Sequence, residues 1–350
     1  MRYSSLVKHQ MTMADIARLA GVSTSAVSLA LNGKAGVSAE TKERIAQIAE
    51  NLGWYPNSSA RALSGGPIAA VGVVLTRPAR YLGVAPFHMS FLAGLENQFS
   101  MLGSSLLMRI AESQQEEMHT YRRWAAEGRV DGLVLLDMAV NDPRPAVVRD
   151  LGMPAVIVGD PEYAAGLPCV WTADADAVRT AVQHLIDLGH TQLARVSGPS
   201  NLAHTQIRTS AFLNACADAG LPTPSIVETD STVHSGRQVT EQLLGRPHRP
   251  TAILYDNSLM AVAALEAIGA AHLSVPDDVS LIAYDDSILC EITNPPISAL
   301  SRDPYSYGSH AAQLLIAEIK APGSAVSEFH ALPTLIERGS TGPASGPLPG

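Results

Sequence analysis

The 350 residues contain no apolar run approaching the roughly 18 uninterrupted residues a membrane helix needs, so no membrane partner is expected. No apolar segment follows Arg2 and Lys8 at the start of the chain, which excludes a secretion signal and points to the cytoplasm. Cysteine is scarce. Cys169, Cys216 and Cys290 are odd in number and far apart, so they read as buried free thiols rather than a disulfide or metal framework. The sequence also lacks a G-x-x-x-x-G-K phosphate loop, a G-x-S-x-G elbow and an H-E-x-x-H helix. Its 11 histidines show no ligand spacing. The expectation is a non-enzyme with no catalytic residues, no metal and no cofactor.

What remains is an ordinary globular balance, 46% hydrophobic and 16% charged, long enough for two or three domains. The net charge of -9 conceals an asymmetry. Residues 1–67 carry 7 Lys and Arg against 4 Asp and Glu, whereas the rest carries 17 against 29. Local charge is what a phosphate backbone meets, so the N-terminal part is the plausible nucleic-acid footprint. Its excess of three positive charges is modest, and two copies are needed for affinity.

Thr12 can cap a first helix with Asp15 three residues on, and Ile16, Leu19 and Ala20 make its apolar stripe. Gly21 can take the positive φ that ends this helix, and Ser23 can cap the next. Val27, Ala30 and Leu31 then face inward, leaving Thr24, Ser25, Ser28 and Leu29 outward. A third helix runs from a Ser38 cap through Ile45, Ile48, Ala49 and Leu52. Two helices joined by a short glycine-containing turn form a helix-turn-helix unit, although the bare pattern also fits a small protein-binding bundle.

The run Thr12, Asp15, Ile16, Ala17, Ala20, Gly21, Val22, Ser23, Val27, Ser28, Leu31 and Asn32, continued by Val37, Ser38 and Thr41, resembles the headpiece of the LacI/GalR family of transcriptional regulators. The family usually carries arginine where Leu29 stands, and leucine offers at most an apolar contact to a thymine methyl. Base reading then falls on Thr24, Ser25 and Ala26. Thr12, Ser23, Ser28 and Asn32 are expected as caps and phosphate contacts, which position without specifying. In the family, the segment after the headpiece folds as a short helix on DNA, and its leucine wedges into the minor groove. Asn57 or Ser58 can cap such a short helix here, and the resemblance implies the wedge role for Leu63, with Ala60 one turn before. The alternative is a plain flexible tether.

Beyond residue 68, near-continuous apolar runs at 69–75, 105–110, 131–136, 154–159, 192–198, 251–256 and 279–285 alternate with helical stretches. Such runs imply parallel sheets covered on both faces. The predicted fold is α/β: a helix-turn-helix headpiece (11–56), a hinge (57–67) and a periplasmic-binding-protein-like body of two doubly wound parallel-sheet subdomains (68–340). Chain crossovers are expected near 165, 293 and 327, and a disordered tail at 341–350. The family likeness continues in DLGH followed by QLARVSGP, in VPDDVSLIAYDD and in LPTLIERGST. It implies effector contacts at Arg208, Asp285 and Asn257, although the family's usual Asn-Asp pair reads Asn257-Ser258 here. Phe87, Trp171 and Tyr255 are candidates to stack on a ring, Trp171 foremost, because it lies near the expected crossover.

The resulting expectation is a homodimeric regulator, most simply a repressor, of a pseudo-palindromic double-stranded DNA operator, with a small polar effector, a sugar or glycoside, in the cleft between subdomains. The competing reading is a sugar-binding protein that does not regulate through DNA.

Overall fold

The computed structural model describes residues 12–31, 35–52, 69–76 and 86–344. Contacts divide the chain into two units, Met1–Ala69 and Ala70–Gly350.

The first unit holds helices α1 (Met13–Ala20), α2 (Thr24–Leu31) and α3 (Ala39–Asn51). Local chemistry starts and stops each of them. Thr12 and Asp15 form the reciprocal capping box: the Asp15 amide donates to Thr12 Oγ1 at 3.4 Å and the Thr12 amide to Asp15 Oδ2 at 3.0 Å. Gly21 ends α1 at φ 65°. A Cβ there would meet nothing within 4 Å, so the glycine is required by backbone conformation and not by space. Ser23 Oγ then accepts from the Ala26 amide at 3.2 Å, and Ser38 Oγ from the Thr41 amide at 3.3 Å. α1 and α2 are bent by 101°, within the range of a helix-turn-helix. Ile16, Ala17, Ala20, Val27, Ile45 and Ala49 make the core. Leu19, expected in the stripe, is 55% exposed; Ala17 takes its place, one turn before Ala20.

The second unit contains two six-stranded sheets. In the first, β1 (Ala70–Thr76), β2 (Ser105–Ala111), β3 (Gly132–Leu135), β4 (Ala155–Val158) and β5 (Cys169–Thr172) are joined by a late strand, β11 (Glu328–Ala331). Their order is β11-β5-β4-β3-β1-β2, parallel throughout. In the second, β6 (Leu193–Ser197), β7 (Ser225–Glu228), β8 (Ala252–Tyr255), β9 (Ser280–Tyr284) and β10 (Ser298–Ser301) are closed by an antiparallel β12 (Thr334–Ile336). Their order is β12-β10-β9-β8-β6-β7. Both sheets are doubly wound, with a switch point between the first and third strands of each.

Between the strands run α4 (Pro86–Ser100), α5 (Gln114–Glu127), α6 (Arg144–Asp150), α7 (Asp174–Asp187), α8 (Ala203–Asp218), α9 (Val233–Leu244), α10 (Ser258–Ala270), α11 (Ile288–Ile292) and α12 (Pro304–Lys320). The chain changes subdomain at residue 173, again at 302–303 and finally at 332–333. Each crossing comes several residues later than 165, 293 and 327, because β5, β10 and β11, three short strands missed in the sequence, precede the crossings. The tail also needs correction. Thr341 to Ala344 are part of the body: the Gly342 amide donates to Ser280 Oγ at 3.1 Å and the Ala344 amide to the Leu188 carbonyl at 2.8 Å. His190, beside Gly342 O at 3.0 Å and Thr251 Oγ1 at 2.9 Å, holds this segment down. Residues 345–350 lie outside the described residues. The three cysteines are buried and free, as expected.

α12 follows the second crossing and returns the chain to the first subdomain by packing on α4. Two glycines permit this. A Cβ on Gly308 would lie 2.1 Å from the Phe91 carbonyl oxygen, and one on Gly94 2.0 Å from that of Tyr305. The helices meet backbone to backbone, where a methyl group cannot be accommodated without shifting them. Gly308→Ala should therefore destabilise the protein by about 1–3 kcal/mol, seen as a fall in melting temperature. Gly269→Ala, in α10 with open space around it, should leave the melting temperature unchanged or slightly higher.

Candidate functional site

The loops following the carboxyl ends of strands in both sheets face one another and enclose a cleft, the place where doubly wound sheets bind ligands. About 170 Å³ is open to the centres of water-sized molecules, room for roughly a dozen waters. Its walls mix apolar side chains (Phe87, Met138, Ile207, Val233, Leu259) with a dense set of charges. Three non-glycine residues on these walls hold a positive φ: Asp137 at 50°, Ser231 at 64° and Asp285 at 64°. Backbone strain of this kind collects at binding sites because packing must hold it in place.

The charges form an alternating series. Arg195, fully buried on β6, donates to Asp256 Oδ1 at 2.5 Å, and the Gly198 amide donates to Asp256 Oδ2 at 2.7 Å. Arg208 Nη1 stands 3.8 Å from Asp256 Oδ1, while its Nε and Nη2 reach Asp174 Oδ2 at 2.8 and 2.7 Å. Thr172 Oγ1 donates to Asp174 Oδ1 at 2.5 Å and accepts from Arg302 Nη1 at 3.1 Å. Arg302 Nε and Nη2 donate in turn to Asp285 Oδ1 and Oδ2 at 2.8 and 3.4 Å. Arg208 lies 3.5 Å over the ring of Tyr284, and Arg302 4.4 Å over that of Phe87.

Burial alone would push the carboxyls of Asp174 and Asp256 up. The guanidinium charges of Arg208 and Arg302 around the first, and of Arg195 and Arg208 around the second, hold both below the usual carboxylate range. Burial opposes charge on Arg208 as well, yet Asp174 and its neighbours raise its pKa. The series thus sets three guanidiniums against three carboxylates, and Asp137, Asp160 and Asp286 line the cleft beside them. His204 is driven the other way: desolvation first, then the charge of Arg208, bring its imidazole down to about 4. His88 is buried on the cleft wall with Nε2 3.6 Å from Asp137, and neither ring nitrogen has a hydrogen-bond partner.

The cleft brings together Arg208, Asp285, Asn257 and Phe87, all expected from the sequence. Asn257 has local duties there: its Oδ1 caps α10 by accepting from the Met260 amide at 2.8 Å, and its Nδ2 donates to the Ser231 carbonyl at 3.1 Å. Trp171 is not on the cleft wall. It packs against Phe329, ring centroids 4.9 Å apart, because alternation along β5 gives the cleft side to Thr172. Tyr255 is fully buried in the core, its hydroxyl 2.8 Å from Thr240 Oγ1. Arg302, Asp174, Asp256 and His204 were missed. The signal that finds three of them is position, since Asp174, Asp256 and Arg302 each come within two residues of a strand's carboxyl end.

In the head, Thr12, Ser23, Thr24 and Ser25 are exposed, while Ala26, Ser28 and Leu29 are half-buried. Leu29 leans on the turn before α3: its Cδ1 would lie 3.3 Å from a Cβ on Gly36, so it is less outward than its helical position implies. Asn32, Asn57, Ala60 and Leu63 fall outside the described residues.

Depressed imidazole values fix the direction of a pH effect. His204 binds a proton at 6.5 when unfolded and near 4 when folded, so its contribution is complete above 6.5 and is lost as pH falls toward 4. Urea unfolding midpoints should drop across that window, and less steeply in His204→Gln. An identical pH profile in the variant would remove His204 from the account.

Residues 12–57 match the family described as bacterial regulatory proteins, lacI family, and residues 182–341 match the periplasmic binding protein-like domain. The chain is 30% identical over 332 residues to the ribose operon repressor of Escherichia coli (strain K12), covering 94% of this chain and 99% of that protein. Among solved structures it is similar to the lac repressor dimer bound to operator and the anti-inducer ONPF, with 25% identity, TM-score 0.81, and 95% and 99% of the two chains covered. It is also similar to the transcriptional regulator CelR in complex with cellobiose, with 27% identity, TM-score 0.70, and 94% and 99% covered.

Proposed function

This chain belongs to the lacI family of bacterial regulatory proteins, and from that membership we propose that it is a transcriptional repressor whose operator affinity is set by a neutral, polyhydroxylated effector, a sugar or glycoside, held in the cleft. The observation that carries the effector class is that the arginines around the cleft are already closed in ion pairs. Arg195, Arg208 and Arg302 are already matched by Asp256, Asp174 and Asp285. An anionic ligand would bring an unmatched charge against these carboxylates, at several kcal/mol in a desolvated site. Neutral hydroxyls fit instead: each donates to a carboxylate and accepts from a guanidinium without changing the charge. Phe87, Met138 and Ile207 suit the apolar faces of a sugar ring. The available volume matches one or two rings.

The head offers α2 to the major groove, with the exposed Thr24 and Ser25 at its first turn reading base edges and Ala26 beside them. Thr12, Ser23, Ser28 and Asn32 hold phosphates, and Leu29 replaces a hydrogen-bonding reader with an apolar one. A homodimer acting on a pseudo-palindromic operator in the cytoplasm follows from the weak charge of one head, supported by the operator-bound dimer of the lac repressor. Leu63, with Asn57 and Ala60, forms the minor-groove wedge between head and body.

Two measurements test this reading. In a thermal-shift panel of D-ribose, D-glucose, maltose, sucrose and cellobiose, with glucuronate, glucose 6-phosphate and hypoxanthine as contrasts, a neutral sugar should raise the melting temperature by mass action. Stabilisation confined to an anionic ligand or the purine would contradict the effector class. In operator-binding assays at fixed salt, Leu63→Ala should weaken specific DNA binding by about tenfold or more without altering sugar affinity. Arg208→Ala should retain DNA binding and lose the sugar response. Two variants with the same defect would refute the separation of roles.

A further inference from the structure

Arg302 was invisible in the sequence pattern, and its contacts set it apart from the other cleft side chains described here. It occupies the second crossing between subdomains, directly after β10. Its guanidinium reaches Asp285, in the loop after β9 of one subdomain, at 2.8 Å, and Thr172, at the end of β5 of the other, at 3.1 Å. The same group lies 4.4 Å over the ring of Phe87 on α4, in the first subdomain. One planar cation thus holds both halves, at the point where the chain itself passes between them. It also covers two groups, Phe87 and Asp285, assigned to the effector.

A guanidinium carries five N–H donors in a rigid fork. Contacts with Asp285 and Thr172 use three of them; Nη1 also stands 3.8 Å from Asp174 Oδ1, and two N–H groups remain without a hydrogen bond on a residue that lines the cleft. We propose that Arg302 is the specificity-determining and positioning residue of this site, donating to an effector hydroxyl while fixing the distance between Thr172 and Asp285. Effector occupancy and subdomain placement then depend on one side chain. The inference rests on the reading of the cleft as a neutral sugar site. It goes further by assigning the coupling to a residue. An ammonium cannot replace this group, because it supplies charge without the planar fork that spans Asp285 and Thr172 together.

The test compares full-length wild type with Arg302→Gln and Arg302→Lys, using as probe whichever sugar of the panel most stabilises the wild type. In Arg302→Gln, sugar affinity should fall about 30-fold or more. Operator affinity should no longer respond to saturating sugar. Arg302→Lys should recover the melting temperature but not the operator response, which separates positioning from simple charge balance. A variant of either kind with wild-type sugar affinity and full response overturns the proposal. If Arg302→Gln does not fold, the Lys variant decides. A ligand-free arm is independent of the sugar: amide hydrogen exchange should accelerate at 172–174 and 285–287 in Arg302→Gln, with α1–α3 unaffected. Unchanged exchange there refutes the clamp. Absence of any sugar effect on wild type, with accelerated exchange in the variant, instead refutes the sugar reading and leaves the clamp standing.

Discussion

A guanidinium taken out of water must be met by fixed negative charge, or the energy of its lost hydration is not recovered. Three of them are buried around one cleft here, and their carboxylate partners determine much of its architecture. Asp256 follows β8, Asp285 follows β9 and Asp174 opens α7 just past the first crossing, so all three pairs are built on the second subdomain, and Thr172 at the end of β5 ties the series to the first. Arg208 and Arg302 lie 8% exposed or less at the side chain, and neither would be tolerated there without its acid. The same closed pairs are the ground on which a neutral effector is proposed.

That dependence gives a small ligand a hold on the chain crossings between the subdomains. Asp174 and Arg302 sit on the first and second crossings of the chain, so a ligand that redistributes hydrogen bonds among them acts on the segments that set subdomain placement. A bound ligand can shift such an equilibrium only by its difference in affinity for the two arrangements. The backbone contact between α4 and α12, allowed by Gly94 and Gly308, packs the helix that follows the second crossing firmly on the first subdomain. The head carries a modest positive charge and a nearly complete family framework, with Leu29 where the family usually has arginine. Control by dimer geometry suits such a head better than control by raw affinity.

Much of this was legible in the sequence, and the reasons are physical. Thr12, Gly21, Ser23 and Ser38 were readable because capping acts within a few residues of chain. Six of the seven apolar strands were readable because burial on both faces leaves a continuous run, while β2, at the edge of its sheet, is only partly buried. The remaining five, CVWT, SIVE, SALS, EFHA and TLI, are three or four residues long, and their pairing is decided by neighbours far away in sequence. Missing them had consequences. The crossings were placed too early, and Arg302 and Asp174, which follow β10 and β5, had no strand end to mark them. Trp171 shows how fine the limit is: one position along β5 separates a residue packed on Phe329 from Thr172 in the cleft, because alternate side chains face opposite ways. Arg208 and Asp285 were found through family likeness. Their actual partners, Asp174 and Arg302, are contacts that only the fold brings together.

The central claim is that the cleft and the operator are energetically coupled, and coupling is reciprocal. The most direct measurement is the dissociation constant of the stabilising sugar, determined by calorimetry on the full-length protein with and without saturating operator DNA. The account predicts that operator changes sugar affinity by the same factor as sugar changes operator affinity. A sugar that binds equally well to the free and the operator-bound protein would contradict it.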